Sequence, residues 1–234
     1  SAGGAAALNV EDVFSTYLYD GNGSGKSIQN GINLGQSYGS GSAYFSGLVN
    51  NAPSDTAYIE TPVSTDFALS NNDFTVEFFV NFNETTGSNN SVLNFGNRST
   101  VYNPLFYISG TTLLFYASTS GTSWDFISGA SFGTITYGKW HHIALTRTGG
   151  TLFLYKDGVQ VLTQSVSSTA FYQSANQITL GAGSNQAFNG YMSDFHFING
   201  TAKYSLSSFT APTSALTAHA NTKLLTLQQD TIWD

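Results

Sequence analysis

Hydrophobic and polar residues alternate along several short stretches of this chain, and residues 74–82 show the pattern most clearly. Every second residue from Phe74 to Phe82 is Phe or Val, and the residues between them are Thr75, Glu77, Phe79 and Asn81. A repeat of two residues is typical of a strand that turns one face to a hydrophobic core. Similar patterns predict strands at residues 13–19, 43–45, 91–95, 105–109, 113–117, 140–147, 151–155, 159–166, 178–181, 190–198 and 222–227.

Turn signals separate these stretches. Asp157-Gly158 is the strongest hairpin signal, and Gly149-Gly150 precedes the strand at 151–155. Turns recur roughly every 8–12 residues without an amphipathic helix, which is typical of β-sandwiches and jelly rolls. We therefore predict an all-β fold, a two-sheet antiparallel jelly-roll sandwich, with an arm at residues 1–12 and a single domain at residues 13–234.

The strand at 74–82 is expected to supply one layer of the core. Candidates for another layer are Ile143, Leu145, Phe195 and Phe197. The first and last strands, at 13–19 and 222–227, are expected to pair with each other or to cover a sheet edge.

Composition narrows the possible functions. The chain has 234 residues, no cysteine, 9% charged residues and a formal net charge of −7. An acidic chain without a basic stripe is not expected to bind nucleic acid. No apolar run approaches the roughly 18 residues of a membrane span, so we expect no membrane insertion. The absence of cysteine excludes disulfides and thiol chemistry.

The motifs that could carry catalysis are incomplete. Ser37 stands in a Gly-x-Ser-x-Gly sequence with no helix predicted after it, as a nucleophile elbow would require. Residues 20–27 resemble parts of a phosphate loop and of a calcium loop, but Asp20 and Gly31 replace essential positions of those motifs. The acidic residues Glu60, Glu77 and Glu84 are isolated from one another, so the paired carboxylates of a glycosidase are missing. We expect a protein that is not an enzyme.

The chain has two adjacent histidines and, further on, an aspartate and a histidine two residues apart. His141 and His142 are neighbours on a predicted strand, so they point to opposite faces and are poorly placed to share a metal. Asp194 and His196 are two residues apart and are expected to form a local polar pair on one face. Packing and hydrogen bonding are the expected roles of these side chains.

Several segments in order resemble the laminin G-like family. They are residues 42–47, 58–62, 73–80, 139–147, 151–159, 178–181 and 188–195. The resemblance implies a concanavalin A-like jelly roll and, in some members, a calcium ion between two rim loops. The matching loops, 96–104 and 183–189, contain no carboxylate. We therefore predict no cofactor, and leave open a weak calcium site made of carbonyl and amide oxygens.

The flanking segments resemble a narrower group. Residues 12–23, 30–34, 199–204, 209–212 and 223–227 are similar to virion proteins of marine bacteriophages. The resemblance implies a structural protein on the surface of a phage particle, made in the host cytoplasm and located on the capsid or the tail. Other virion proteins are then the expected partners, and the protein is expected to be a homo-oligomer or bound to a lattice.

Loops rich in aromatic and polar residues provide a candidate binding rim. We expect these loops at residues 83–91, 96–104, 118–133 and 183–189. Aromatic rings with amide and carboxylate groups can bind a protein partner or a sugar. The candidate ligand-binding residues are Arg98, Tyr102, Asn103, Trp124, Asp125 and Asn185. Two functions stay open at this point: a virion structural protein held by protein contacts, and an adhesin or lectin module that binds bacterial surface glycans.

Overall fold

The computed structural model describes residues 18–19, 34–35, 41–47, 57–83, 90–205 and 207–228. Apart from a 3₁₀ turn at Thr65–Phe67, the regular elements of these residues are strands. No helical segment within these ranges has the length and hydrophobicity to cross a bilayer. The strands are β1 (Leu18–Tyr19), β2 (Leu34–Gly35), β3 (Ser42–Ser46), β4 (Tyr58–Glu60), β5 (Phe74–Phe82), β6 (Ser91–Asn94), β7 (Leu105–Ser109), β8 (Thr112–Ala117), β9 (Ile127–Thr134), β10 (Trp140–Thr148), β11 (Thr151–Lys156), β12 (Val159–Ser165), β13 (Thr179–Leu180), β14 (Ala182–Gly183), β15 (Gln186–Ala187), β16 (Asn189–Asn199) and β17 (Thr222–Thr226).

The strands form two antiparallel sheets that pack face to face, which confirms the predicted jelly-roll sandwich. The first sheet has seven strands in the order β1-β4-β13-β6-β7-β8-β9. The second sheet has eight strands. Seven of them follow the order β12-β11-β10-β5-β16-β3-β2, and the eighth, β17, pairs with β16. The short hairpin β14–β15 lies apart from both sheets.

The core between the sheets is built largely of phenylalanine. Phe78 of the eight-stranded sheet lies with its ring centroid 5.5 Å from that of Phe106 in the seven-stranded sheet, and the two rings meet edge to face. Both side chains are fully buried. Edge-to-face packing of this kind adds to the free energy gained by burying the rings.

One prediction about the core is wrong. Ile143 and Leu145 are paired in register with Phe78 and Val76, so they extend the layer of β5 and do not oppose it. β16 pairs with the other side of β5, so Phe195 and Phe197 also belong to the layer of β5 and do not oppose it. The opposing layer comes from the seven-stranded sheet, in particular from Leu93, Phe106, Ile108, Phe115 and Phe132.

The second face of β5 is also buried, which its alternating pattern alone did not predict. Residues 201–205 and 207–213, here called the C-terminal cover, cross the outer face of the eight-stranded sheet. The hydroxyl of Thr75 donates to the carbonyl of Thr201 at 3.1 Å and accepts from the amide of Lys203 at 2.8 Å. Phe209 packs at 5.2 Å from Tyr155 of β11 and stacks on Tyr204 at 3.7 Å, as measured between ring centroids.

The loop predicted at 118–133 is wrong over its second half, where β9 occupies residues 127–134. The sequence of β9 is rich in Ser and Gly, residues that are rare in strands. Gly129 and Gly133 have positive φ angles, and the register with β8 shifts twice. These bulges accommodate residues that a regular strand would disfavour. The strand β4 was not predicted either.

In the described residues, the two terminal strands pair with different partners and not with each other. β1 pairs with β4 in the seven-stranded sheet, and β17 pairs with β16 in the eight-stranded sheet. β17 therefore covers part of a sheet edge, one of the two predicted arrangements. The predicted arm at 1–12, the turn at 20–25, the Ser37 motif and most of the loop at 83–91 lie outside the described residues.

A bulge in β16 separates Asp194 from His196, so the predicted polar pair is wrong. Asp194 has a φ angle of 49°, and the pairing with β5 shifts between Ser193 and His196. The Asp194 carboxylate accepts hydrogen bonds from the Leu216 amide at 2.9 Å and from Ser193 Oγ at 2.8 Å. His196 faces Glu77 instead, with 2.9 Å between Nδ1 and Oε1.

Candidate functional site

Alternation along β7 and β8 places aromatic side chains on the outer face of the seven-stranded sheet. Phe106 points into the core, so its neighbours Leu105 and Tyr107 point outward. Tyr116 is the register partner of Leu105 and shares that face. The rings of Tyr107 and Tyr116 are 6.0 Å apart and nearly perpendicular. The strands therefore present a fixed aromatic floor.

Two of the predicted rim loops meet above this floor. The Trp124 ring lies 5.1 Å from the Tyr102 ring and 5.2 Å from the Tyr116 ring, as measured between centroids. Trp124 and Tyr102 are both partly exposed. The structure thus brings together two predicted residues from separate loops, and joins them to a tyrosine of the sheet that the prediction did not include.

Trp124 and Tyr116 line an open cavity of about 400 Å³, here called the aromatic groove, and Tyr102 packs on Trp124 beside it. The β14–β15 hairpin closes one side of it with Ser184 and Gln186. Ser184 Oγ and Gln186 Oε1 have no hydrogen-bond partner among the described residues. The groove therefore combines apolar rings with two uncommitted polar atoms. Its lining residues are Val101, Leu105, Tyr107, Tyr116, Trp124, Ser184 and Gln186.

Asp125 stands beside Trp124 but is committed to its own loop. Its carboxylate accepts from the Thr119 amide at 2.9 Å, from the Thr119 hydroxyl at 2.8 Å and from Ser118 Oγ at 2.8 Å. The hydrogen bonds from Thr119, followed by that from Ser118, hold the pKa of Asp125 well below its usual range. Asp125 is thus ionised and serves to fix the loop that carries Trp124.

Arg98 interacts with the first strands of the sheet. Its guanidinium carbon lies 4.5 Å from the centroid of the Tyr58 ring on β4. Burial raises the pKa of the neighbouring Glu60, while the hydrogen bond from Thr179 and the charge of Arg98 oppose that rise. Arg98 is not among the residues that line the aromatic groove.

Asn103 holds the rim together through the hydrogen bonds of its side-chain amide. It is 1% exposed, and its amide nitrogen donates to the carbonyls of Asn97 and Thr100 and to Ser174 Oγ, each at 3.1 Å. Its Oδ1 accepts from the Ser174 amide at 2.8 Å. Its polar atoms are therefore occupied inside the loop, and its expected role in ligand binding stays a prediction.

Asn185 connects the two rim loops. It is exposed, has a φ angle of 60°, and its backbone and side-chain amides donate to the carbonyls of Arg98 and Ser99. These contacts tie the β14–β15 hairpin to the loop at 96–104. Asn185 thus positions Ser184 and Gln186 at the groove.

The rim loops do not fit the calcium site that the resemblance implied. They contain no carboxylate, the oxygen of Asn103 is used internally, and Arg98 adds a positive charge. Calcium takes six to eight oxygen ligands, normally including carboxylates. Within the described part of the chain, no three His, Cys, Asp or Glu side chains come together as a metal site.

Sequence reasoning missed part of the groove although a signal was available. Tyr107 and Tyr116 fall on the outward positions of two correctly predicted strands. Their alternation with Phe106 and Phe115 could have identified an aromatic outer face. Gln186 and Ser184 gave no such signal, because their position depends on how the hairpin folds back.

A second polar cluster lies under the C-terminal cover. Glu77, which looked isolated in the sequence, is fully buried. It contacts His142 Nε2 at 3.3 Å, His196 Nδ1 at 2.9 Å, Lys203 Nζ at 2.6 Å and Tyr204 Oη at 2.7 Å. Burial disfavours the charge, but the hydrogen bonds from the two histidines and the charge of Lys203 outweigh it and hold the pKa of Glu77 well below its usual range.

The two adjacent histidines point to opposite faces, as predicted. His141 Nδ1 lies 2.8 Å from Asp157 Oδ2, and His141 Nε2 accepts from the Thr136 amide at 3.1 Å. His142 faces Glu77 and packs on Phe79, with 4.9 Å between ring centroids. Both side chains are buried in structural contacts.

Known structures share the sandwich at low sequence identity. The chain is similar to the binding domain of botulinum neurotoxin serotype G (TM-score 0.56, 11% identity, 74% of this chain and 42% of that one). It is also similar to domain 4 of AbnA, an extracellular arabinanase from Geobacillus stearothermophilus, in complex with arabinotriose. The TM-score is 0.53 and the identity 18%, over 80% of this chain and 93% of that one. A third match is botulinum neurotoxin type C, whose cell entry depends on interaction with two ganglioside molecules. The TM-score is 0.53 and the identity 14%, over 71% of this chain and 41% of that one.

These likenesses show the fold, and the chain spans less than half of each neurotoxin chain that it matches. A search of curated proteins found none that matches this chain. The family model described as the concanavalin A-like lectin/glucanases superfamily matches residues 53–218. That match takes in most of both sheets and the rim loops around the aromatic groove. The chain therefore belongs to the concanavalin A-like lectin/glucanases superfamily.

Proposed function

We propose that this protein is a non-enzymatic binding module that holds a saccharide in the aromatic groove. The observation that carries the proposal is the contact of Trp124 with Tyr116 at a cavity of about 400 Å³, with Tyr102 packed against Trp124. Aromatic faces cover the apolar C–H face of a sugar ring. Gln186 Oε1 can then accept a hydrogen bond from one of its hydroxyl groups, and Ser184 Oγ can donate or accept one.

The chemistry of the groove supports binding over hydrolysis. A glycosidase needs one carboxylic acid that can protonate the leaving oxygen and a second carboxylate. Asp125, next to Trp124, keeps a low pKa through its hydrogen bonds to Thr119 and Ser118, so it has no proton to give near neutral pH. The arabinotriose complex and the ganglioside dependence of two similar structures support saccharides as the first ligands to test.

The test is saturable binding of the purified chain to an array of bacterial surface polysaccharides. Trp124→Ala and Tyr102→Ala are expected to weaken binding at least tenfold, which corresponds to the loss of about 1.4 kcal/mol. Val63→Ala is the matched control, because Val63 is 67% exposed. EDTA is expected to leave binding unchanged. Binding that survives in Trp124→Ala would exclude the groove.

Location on a phage particle is a second proposal, and it rests on the resemblance of the flanks to virion proteins. Residues 199–204 and 209–212 of those flanks lie against the eight-stranded sheet, and 223–226 belong to β17, so both are integral to the sandwich. The proposal expects the protein to sediment with empty particles of the matching phage at micromolar concentration. Absence of co-sedimentation would refute the location on a phage particle and would leave the saccharide proposal unaffected.

A further inference from the structure

A second hollow of about 240 Å³ lies on the outer face of the eight-stranded sheet. Phe79 of β5 and Trp140 and His142 of β10 line it, with Lys139, Asp157 and residues 211–213 of the C-terminal cover at its walls. The core lies on the other face of this sheet. The hollow, here called the outer hollow, is thus on the opposite side of the sandwich from the aromatic groove.

An uncommitted nitrogen belongs to the lining of the outer hollow. His142 is 2% exposed, and its Nδ1 has no hydrogen-bond partner in the described part of the chain. Its Nε2 faces the ionised carboxylate of Glu77 at 3.3 Å, so Nε2 carries a proton and donates it. In this tautomer Nδ1 keeps a lone pair. Nδ1 can therefore accept a hydrogen bond from a hydroxyl group of a ligand.

A second unsatisfied acceptor lies on the same face. Asn81 is the register partner of Trp140, and its Oδ1 is buried without a partner among the described residues. Unsatisfied buried polar atoms are rare and costly in folded proteins. Asn81 lies beside the outer hollow and does not line it, so a ligand would have to extend past Trp140 to offer hydroxyl groups to both acceptors.

Aromatic rings extend from the hollow across three strands. Trp140 lies 6.4 Å from Tyr191 of β16, and Tyr191 lies 4.8 Å from Tyr44 of β3, as measured between ring centroids. All three side chains are partly exposed. Such a row can cover the C–H faces of successive sugar units. Lys139 and Asp157 place one charge of each sign at the wall, which favours neither an acidic nor a basic sugar.

We propose that the outer hollow, together with the row Trp140–Tyr191–Tyr44, is a second saccharide site that takes a neutral oligosaccharide. His142 Nδ1 accepts from a hydroxyl group, and Trp140 packs against the ring that carries it. This site is independent of the aromatic groove, because the two lie on different sheets and share no residue. A protein with both sites can bridge two glycan chains, which raises its effective affinity for a surface.

The experiment follows the indole N–H signals of the full chain labelled with ¹⁵N-tryptophan. The chain has three tryptophans, so Trp124 and Trp140 report on the two sites separately once Trp→Phe variants have assigned the signals. The probes are maltotriose, arabinotriose and chitotriose at millimolar concentration. We expect a saturable shift of the Trp140 signal with at least one of them.

A steric variant tests the assignment without touching the core. Thr213 is exposed and lines the outer hollow, so Thr213→Tyr is expected to fill it. The Trp140 shift should then weaken at least tenfold in apparent affinity, while any response of Trp124 persists. A Trp140 signal that moves with none of the three probes, or that moves equally in Thr213→Tyr, overturns the second site. A shift of the Trp140 signal without a shift of the Trp124 signal would support the second site and refute saccharide binding in the aromatic groove.

Discussion

Glu77 Oε1 lies 2.9 Å from Nδ1 of His196, and both side chains are fully buried. The two residues stand opposite each other on β5 and β16. Lys203 and Tyr204 of the C-terminal cover donate to the same carboxylate. A single buried charge thus connects two strands of the sheet to the segment that lies over them.

This arrangement predicts a large effect of removing the charge. Glu77→Gln leaves Lys203 facing a neutral group and replaces a lone pair with an amide donor toward His142 or His196. Breaking a buried ion pair in this way is expected to cost about 3–5 kcal/mol of unfolding free energy, measured by urea denaturation.

Asp66→Asn is the matched control. Its ion pair with Lys223 is 2.7 Å long, but the Asp66 side chain is 46% exposed. Water weakens such a pair, and we expect a loss of less than about 1 kcal/mol. Equal losses in the two variants would show that Glu77 does not anchor the cover.

The low pKa of Glu77 predicts a dependence of stability on pH. Its pKa in the folded protein lies below the unfolded value of about 4.3. Its contribution to stability is therefore complete above that value and is lost as the pH falls toward the folded pKa. The difference in unfolding free energy between the natural chain and Glu77→Gln should shrink when urea denaturation is measured below about pH 4. A constant difference at all pH values would contradict this.

The rim loop predicts a strict requirement for Gly96. A Cβ atom at this position would lie 2.3 Å from Cγ of Asn103, and the φ angle of 152° disfavours other residues. Gly96→Ala should displace Asn103, destabilise the protein by about 2–3 kcal/mol and weaken any ligand binding in the aromatic groove. The measurements are thermal unfolding and saccharide binding.

Gly110→Ala tests backbone strain alone, without a steric clash of the added Cβ atom. Gly110 has a φ angle of 53°, and a Cβ atom added there would meet no other atom within 4 Å. Only the left-handed backbone is then penalised, at about 1–2 kcal/mol, and binding should be unchanged. A loss of binding in Gly110→Ala would refute the link between Gly96, Asn103 and the groove.

The core makes a further prediction. Phe78 contacts Phe106 across the sheets and Phe195 within its own sheet. Phe78→Ala should cost about 3–5 kcal/mol, because the cavity cannot collapse between two rigid sheets. Val159→Ala on the edge strand β12, where the side chain is 56% exposed, should cost less than about 0.5 kcal/mol. Denaturant midpoints of the two variants check this.

Local pattern was sufficient to predict much of the fold. The strand at 74–82 was predicted with its observed bounds, because its two-residue period is unbroken. The burial of Glu77 was not predictable in this way, since its partner Lys203 lies 126 residues further along the chain. The strand β9 was missed because its glycines form bulges, which depend on the partner strand β8.

The candidate site residues also differ in how far the local sequence could predict their roles. Trp124 and Tyr102 were chosen as candidates because aromatic residues in polar loops are typical of binding sites, and the structure places their ring centroids 5.1 Å apart. Asn103 looked equivalent in sequence, yet its amide is buried in four hydrogen bonds. Whether a polar side chain serves its own loop or a ligand depends on the three-dimensional path of that loop.

The bulge at Asp194 divides one edge of β16 between two strands. β3 pairs with residues 189–192 and β17 with residues 195–198, so segments separated by about three quarters of the chain lie end to end on the same strand. During synthesis on the ribosome, β3 can reach β16 as soon as residue 192 has emerged. The other half of that edge stays open until residues 222–226 follow. Completion of the eight-stranded sheet therefore waits until residues 222–226 have been synthesised, and a chain interrupted between residues 198 and 222 exposes an unpaired edge that invites aggregation.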